Sequence, residues 1–249
     1  MKQPTLSFIP FAFPNVPHVR CAFQVRNVLS CDGDDLADNV AINAGNLEQT
    51  LANRKALAPL LGIEAWAEMH QVHGSEMYFE PQANDPECSP NIDADGLATT
   101  RPNFGLMIKS ADCQPVFLAS PDGRHLAALH VGWRGNNINF PGKAVRNFCE
   151  RYKLSARNLY AVRGPSLGRG AAEFEDVEST WGGAYMPWYN RTSKTMDLWG
   201  ITQAQLVDVG VLPERIFSLD LCTLTLSNWF YSHRAGHAGR LASIAWIGE

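Results

Sequence analysis

The stretch from Asn91 to Gly135 reads NIDADGLATTRPNFGLMIKSADCQPVFLASPDGRHLAALHVGWRG. Two apolar runs, Gly105-Leu-Met-Ile-Lys109 and Val116-Phe-Leu-Ala119, flank Ala111-Asp-Cys-Gln-Pro115, and a third, Leu126-Ala-Ala-Leu129, leads into His130-Val-Gly-Trp-Arg-Gly135. Short apolar runs bounded by turn formers are expected to be strands with reactive groups at their ends. Pro121-Asp122-Gly123 separates the last two runs by so little that they should form a hairpin. That pairing brings Cys113 and His130 to one end of neighbouring strands. A thiol and an imidazole so placed are either a nucleophile with its base or two ligands of a soft metal site.

Upstream, the apolar alternation of Val19 to Arg26 suits a strand, and Asp32-Gly-Asp-Asp35 a surface turn. Leu47, Leu51, Leu57, Leu60 and Leu61 recur near helical spacing between a capping Asn46 and a stopping Gly62, with Pro59 expected to distort or shorten the last turn. Ala65 to Met69 reads as a strand with Glu76 to Phe79 as a hairpin partner, followed by a loop from Pro81 to Asn91. Downstream, helices are expected over Phe140 to Tyr152, Phe174 to Trp181 and Asp197 to Val209. Strands are expected at Asn158 to Val162, Arg215 to Ser218, Trp229 to Tyr231 and Leu241 to Ile247. Alternating strands and helices with several hairpins define an α+β fold of mixed sheets covered by helices, in one domain spanning 1–249.

The chain has 249 residues, 45% of them hydrophobic and 18% charged, an ordinary composition for a soluble globular protein. No stretch approaches the roughly 20 consecutive apolar residues that span a bilayer, and Pro4, Pro10 and Pro14 break up any signal-peptide core, so a cytoplasmic protein without membrane partners is expected. A net charge of −4 with no long basic run argues against nucleic acid as a partner. Cys21, Cys31, Cys88, Cys113, Cys149 and Cys222 are scattered, with no C-x-x-C pair, and most are expected to be buried small hydrophobes.

His73, Cys113 and His130 can converge. Two imidazoles and one thiolate match the borderline-soft preference of zinc, and three protein ligands leave a fourth position for water or substrate. His70 competes with His73, which is preferred because Gly74 permits close approach. His125 reads as a solvated hairpin residue. Arg134 is a candidate anion clamp, or a surface charge covering Trp133; Arg26, Arg54 and Arg163 read first as ordinary surface or helix-face residues. Asp112 can orient a ligand, whereas Asp93 and Asp95, either side of Ala94 in a turn, read as makers of local turn bonds at least as readily as substrate contacts. Trp181, Tyr185, Trp188 and Tyr189 form the aromatic cluster most free to stack on a planar ring, although such clusters are usually core.

His70-Gln-Val-His-Gly74, Asp93-Ala-Asp-Gly96, Ser110-Ala-Asp-Cys113, His130 to Gly135, Gly164-Pro165 and Phe230 to Arg240 follow in the order found in the laccase-domain family, which the chain resembles over most of its length. That family is also named for polyphenol oxidase or purine nucleoside phosphorylase, and in some bacteria for peptidoglycan editing. The resemblance implies a helix-flanked β-sandwich similar to the catalytic domain of the cytotoxic necrotizing factors, and a zinc ion on His73, Cys113 and His130 as the catalytic centre. It also implies phosphorolysis of adenosine, inosine, guanosine and methylthioadenosine, together with adenosine deamination. Nucleoside and phosphate would be the partners, with Arg134, Gln71, Arg26 and Asp112 as the candidate substrate and phosphate contacts. The chain departs from the family at Gly164-Pro-Ser-Leu-Gly168, where Cys-Ile is common in place of Ser-Leu, at His233 to His237, and at Asn27 to Ser30.

Three rival readings define the tests. A cysteine hydrolase acting on a muropeptide would use Cys113 as nucleophile and His130 as base. A copper phenol oxidase is weaker, because one cysteine and few histidines cannot build several copper centres. A binding module with structural zinc would unfold when Cys113 is replaced.

Overall fold

The central apolar runs lack polar alternation because each strand they form is covered on both faces. The computed structural model describes residues 6–27 and 36–248. In chain order the first elements are β1 (Ser7–Phe13), β2 (Val16–Val25), α1 (Leu47–Leu61), β3 (Ala65–Ala67), β4 (Met77–Phe79), β5 (Gly96–Thr99) and β6 (Phe104–Ser110). There follow β7 (Gln114–Ala119), β8 (Leu126–Val131), α2 (Trp133–Asn137), α3 (Phe140–Tyr152), β9 (Tyr160–Arg163) and α4 (Val177–Trp181). The chain closes with β10 (Tyr189–Asn190), β11 (Thr195–Met196), α5 (Leu198–Asp208), β12 (Ile216–Ser218) and β13 (Leu241–Ile247).

Two mixed sheets result, ordered β1-β2-β13-β6-β3 and β12-β9-β7-β8-β5-β4. Successive side chains of a strand point to opposite faces, so each strand feeds two layers. Leu106 and Ile108 of β6 meet Phe117 of β7 and Ala128 of β8 in the core between the sheets. Met107 and Ile244 turn outward against Leu57 of α1. On the far side Val116, Leu118 and Leu129 turn outward against Val145 and Phe148 of α3. The four layers are helix, sheet, sheet, helix.

The Pro121–Gly123 turn joins β7 and β8 as the expected hairpin, in register from Gln114↔Val131 to Ala119↔Leu126. The first strand, unanticipated because of its prolines, lies at a sheet edge, where Pro10 costs the ladder least. Glu76 to Phe79 is not the hairpin partner of β3. After β3 the chain crosses to the other sheet, where β4 pairs in parallel with β5. Trp229 to Tyr231 forms no strand; Phe230 and Tyr231 are buried beside Val25 and Leu241 through their side chains. Cys31 and the Asp32 to Asp35 turn lie outside the described residues.

Helix α1 is capped as expected, with Asn46 Oδ1 accepting from the Gln49 N–H at 3.1 Å and Gly62 left-handed at φ 67°, and Pro59 does not shorten it. Its buried face differs from the leucine stripe. Thr50, Asn53, Arg54 and Leu57 point inward, while Leu47 and Leu60 are half exposed. Arg54 is not a surface residue: it is fully buried, paired with Glu68, and donates to the Val40, Pro86 and Cys88 carbonyls. Arg163 is likewise buried, paired with Asp220 and lying over the Trp199 ring. Cys88 is exposed instead of buried, and His125 is partly covered by Tyr152. The aromatic cluster around Trp181 and Tyr185 belongs to a minor core with Leu198 and Ile201.

Candidate metal centre

The three ligand candidates lie where the chain passes between sheets. His73 sits in the crossover from β3 to β4, Cys113 in the crossover from β6 to β7, and His130 near the end of β8. The hairpin register sets Cys113 one step beyond the Gln114↔Val131 pair, opposite Gly132. A Cβ on Gly132 would meet His73 Cδ2 at 2.9 Å and Cys113 Sγ at 3.0 Å, so the ligands close over bare backbone. Gly74, expected to provide that clearance, is not the residue that does so: a Cβ there would make only ordinary contact, at 3.6 Å. His73 itself takes the left-handed conformation, at φ 59°.

One ligand atom from each of His73, Cys113 and His130 lies within 4.8 Å of the others. The Cys113 Sγ is 3.8 Å from His73 Nε2, and the two imidazole rings stand edge to face at 76°. Metal–sulfur and metal–nitrogen bonds of about 2.3 and 2.0–2.1 Å in a tetrahedral site hold such atoms roughly 3.3–3.6 Å apart. A small inward shift of side chains meets that spacing, and the donor set suits a borderline-soft ion.

Asp95, fully buried, disciplines two of the three ligands. Its Oδ1 accepts from His130 Nδ1 at 2.8 Å, which turns Nε2 toward the other ligands. Its Oδ2 accepts from the Gly74 N–H at 2.6 Å and the Val72 N–H at 3.3 Å, which holds the turn carrying His73. Asp112, expected in this orienting role, does not fill it. Its carboxylate accepts from Thr223 Oγ1 and the Arg234 N–H, and so ties a distant loop to the Cys113 turn. Asp93 pairs with the exposed His70. The signal for Asp95 was the strand pairing: β5 lies beside β8 in a register that puts Asp95 against His130, whose N–H donates to the Asp95 carbonyl. Asp95→Asn would face an amide N–H₂ toward Nδ1 and push the imidazole proton onto Nε2. Metal affinity is expected to fall by about 10- to 100-fold, measured by competition with a chromophoric chelator.

Burial pushes the Cys113 thiol up, but the facing His130 charge and hydrogen bonds from His130 and His73 outweigh it and bring the thiol down to about 6. Burial pulls His130 down, yet the Cys113 thiolate and the Asp95 carboxylate raise it to about 9. Between these values the metal-free pair is thiolate and imidazolium. A metal ion must displace the His130 proton, so apparent affinity is expected to rise about tenfold per pH unit from about 6 to about 9 and to level off above. Below about 6 the thiol must also deprotonate, and the dependence steepens. Chelator competition on either side of both values checks this.

The three ligands line a cavity of about 870 Å³. Arg134 is exposed on the same cavity, stacked 4.4 Å over its neighbour Trp133, so it covers the indole and faces the site at once. Gln71 also lines it, but its amide is occupied by the Lys109 backbone, donating to the carbonyl at 2.8 Å and accepting from the N–H at 2.9 Å. Arg26 does not line the cavity; it donates to the Ser227 carbonyl at 2.7 Å and lies over Tyr231. Lys109, His233, Arg234 and Arg240 line it without having been anticipated.

Two helix-covered sheets with a His-Cys-His group open to a cavity define an α+β sandwich protein equipped to bind a metal ion. Residues 32–248 match the family described as multi-copper polyphenol oxidoreductase laccase, and the chain belongs to that family. It is 30% identical to a purine nucleoside phosphorylase of Xylella fastidiosa strain Temecula1 over 216 residues, covering 79% of this chain and 78% of that protein. A purine nucleoside phosphorylase of Rickettsia conorii is 33% identical over 134 residues, and the match spans only about half of that protein, 53%. Among solved structures, YlmD from Geobacillus stearothermophilus superposes with a TM-score of 0.83 at 23% identity, covering 95% of this chain and 94% of that one. Among the described residues no helix is long and apolar enough to cross a membrane.

Proposed function

We propose that this protein is a zinc-dependent purine nucleoside phosphorylase acting on inosine, guanosine, adenosine and methylthioadenosine, with adenosine deamination as a second activity. The observation that carries this reading is the His73, Cys113 and His130 group within 4.8 Å at the wall of a cavity large enough for a nucleoside. The names of the relatives point to the same chemistry. Zinc is preferred to copper because this is the only such group among the described residues, and several copper centres need several imidazole-rich sets.

Zinc held by His73, Cys113 and His130 would supply Lewis-acid polarisation at the cavity wall. Arg134 offers a planar fork of donors that can hold a phosphate in two parallel hydrogen bonds beside the ribose. An oxygen of hydrogen phosphate then attacks the anomeric carbon while the bond to the purine nitrogen breaks, and the proton given up by the phosphate balances the one taken by the departing base. Asp95 keeps His130 in one tautomer throughout, and Asp112 holds the loop carrying His233 and Arg234 at the rim.

A second reading is favoured by the thiolate–imidazolium pair, since Cys113, His130 and Asp95 also form the relay of a cysteine hydrolase. Incubating metal-analysed protein with inosine or adenosine, with and without phosphate, separates the readings. Ribose 1-phosphate formed only with phosphate supports phosphorolysis, and inosine formed from adenosine without phosphate supports deamination. No nucleoside turnover combined with cleavage of a muropeptide would replace this proposal with the hydrolase.

A further inference from the structure

Lys109 has no role in the metal group, yet its side chain, 18% exposed, lines the same cavity. Behind it stands the fully buried Glu68, whose Oε1 already accepts from Arg54 Nη2 at 2.5 Å. Lys109 Nζ lies 2.6 Å from Glu68 Oε2. That is a charge-assisted contact, so Glu68 is paired on both oxygens, by Arg54 at Oε1 and by Lys109 at Oε2. Among the described residues the ammonium has no second acceptor within the protein. One of its three N–H donors is directed at Glu68, and the other two remain for an acceptor in the cavity.

The charges point the same way. Arg54 neutralises Glu68, so the triad carries one excess positive charge, and that charge sits at its cavity end. Lys109, Arg134, Arg234 and Arg240 line the cavity against one carboxylate, Asp112, in a chain whose net charge is −4. Such a lining concentrates anions and electron-rich oxygens. The position of Lys109 is also fixed from its backbone, since the Gln71 side chain bonds both its N–H and its carbonyl. A lysine serving only to balance Glu68 would need neither its place on the cavity wall nor the second cation behind it.

We propose that Lys109 is a substrate-contact residue whose ammonium donates to an oxygen acceptor, either the 6-carbonyl of an oxopurine or an oxygen of phosphate. The proposal rests on the phosphorylase reading of the same site. As a donor without lone pairs, Lys109 favours a 6-oxo over a 6-amino purine if it meets the base, and tightens phosphate if it meets the anion.

The test compares zinc-loaded wild type with Lys109→Met, which leaves Glu68 paired to Arg54, and with Lys109→Gln, which restores a neutral donor. Steady-state kinetics on inosine and adenosine, phosphate titrations and calorimetric binding of inosine and inorganic phosphate are the readouts. If the oxygen is on phosphate, Lys109→Met raises the KM for phosphate about tenfold or more. If it is on the base, the ratio of kcat/KM for inosine over adenosine falls by about the same factor. Lys109→Gln recovers part of either effect. The proposal is overturned if both readouts stay within about twofold of wild type, or if all substrates lose equally together with a lowered Tm. Should wild type neither bind nor turn over a purine nucleoside, the phosphorylase reading falls and this one with it; normal wild-type turnover with an indifferent Lys109→Met removes this one alone.

Discussion

Cys113→Ala is expected to lose stoichiometric metal and to reduce nucleoside turnover to background, in a protein that still folds. The sulfur is one of three ligand atoms, so its removal should weaken the ion by more than the roughly 10- to 100-fold expected from an outer partner. Stability should change by only about 1–2 kcal/mol, because Cys113 lies on the cavity wall and takes no part in the core between the sheets. Metal analysis, circular dichroism and phosphorolysis measured on one preparation check this. An unfolded variant would mean a structural ion. Treating wild type with a chelator separates the remaining alternative: a hydrolase keeps its activity without metal, whereas the enzyme proposed above loses it and regains it on adding zinc.

Arg54→Leu should be the most damaging single change outside the site. The guanidinium is fully buried, bonds Glu68 at 2.5 Å, and supplies donors to three backbone carbonyls. Leucine keeps the volume but leaves Glu68 with Lys109 alone. Breaking a buried pair in this way costs about 3–5 kcal/mol, out of a total that is commonly about 5–15 kcal/mol. Urea denaturation should show a lower midpoint with an unchanged slope. The double variant Arg54→Leu, Glu68→Leu should recover much of the loss, because it removes the stranded charge as well as its partner.

Most of the scaffold was legible because local signals and layer geometry agree. Asn46 and Gly62 bound α1, Pro121 to Gly123 turn the hairpin, and the runs at Leu106 and Val116 become strands. The hairpin alone brought Cys113 to His130. What stayed hidden depends on partners far away in sequence. Nothing local told that Met77 to Phe79 would pair in parallel with β5 and not fold back on β3. Arg54 reads as a helix-surface residue until Glu68 and the Val40 and Pro86 carbonyls close around it. Asp95 was hidden for the opposite reason. An aspartate beside a glycine is a familiar turn maker, and only the neighbouring strand shows which histidine it holds. At Gly132 the need is for empty space, and no residue pattern announces that.

The ligand positions have one more consequence. Two of them sit on the separate passages by which the chain leaves the first sheet for the second, and the third sits on a strand of that second sheet. An ion gripped by all three would rivet both bridges to the deck they lead to, so that taking up the ion and cinching one end of the two-sheet stack become a single event.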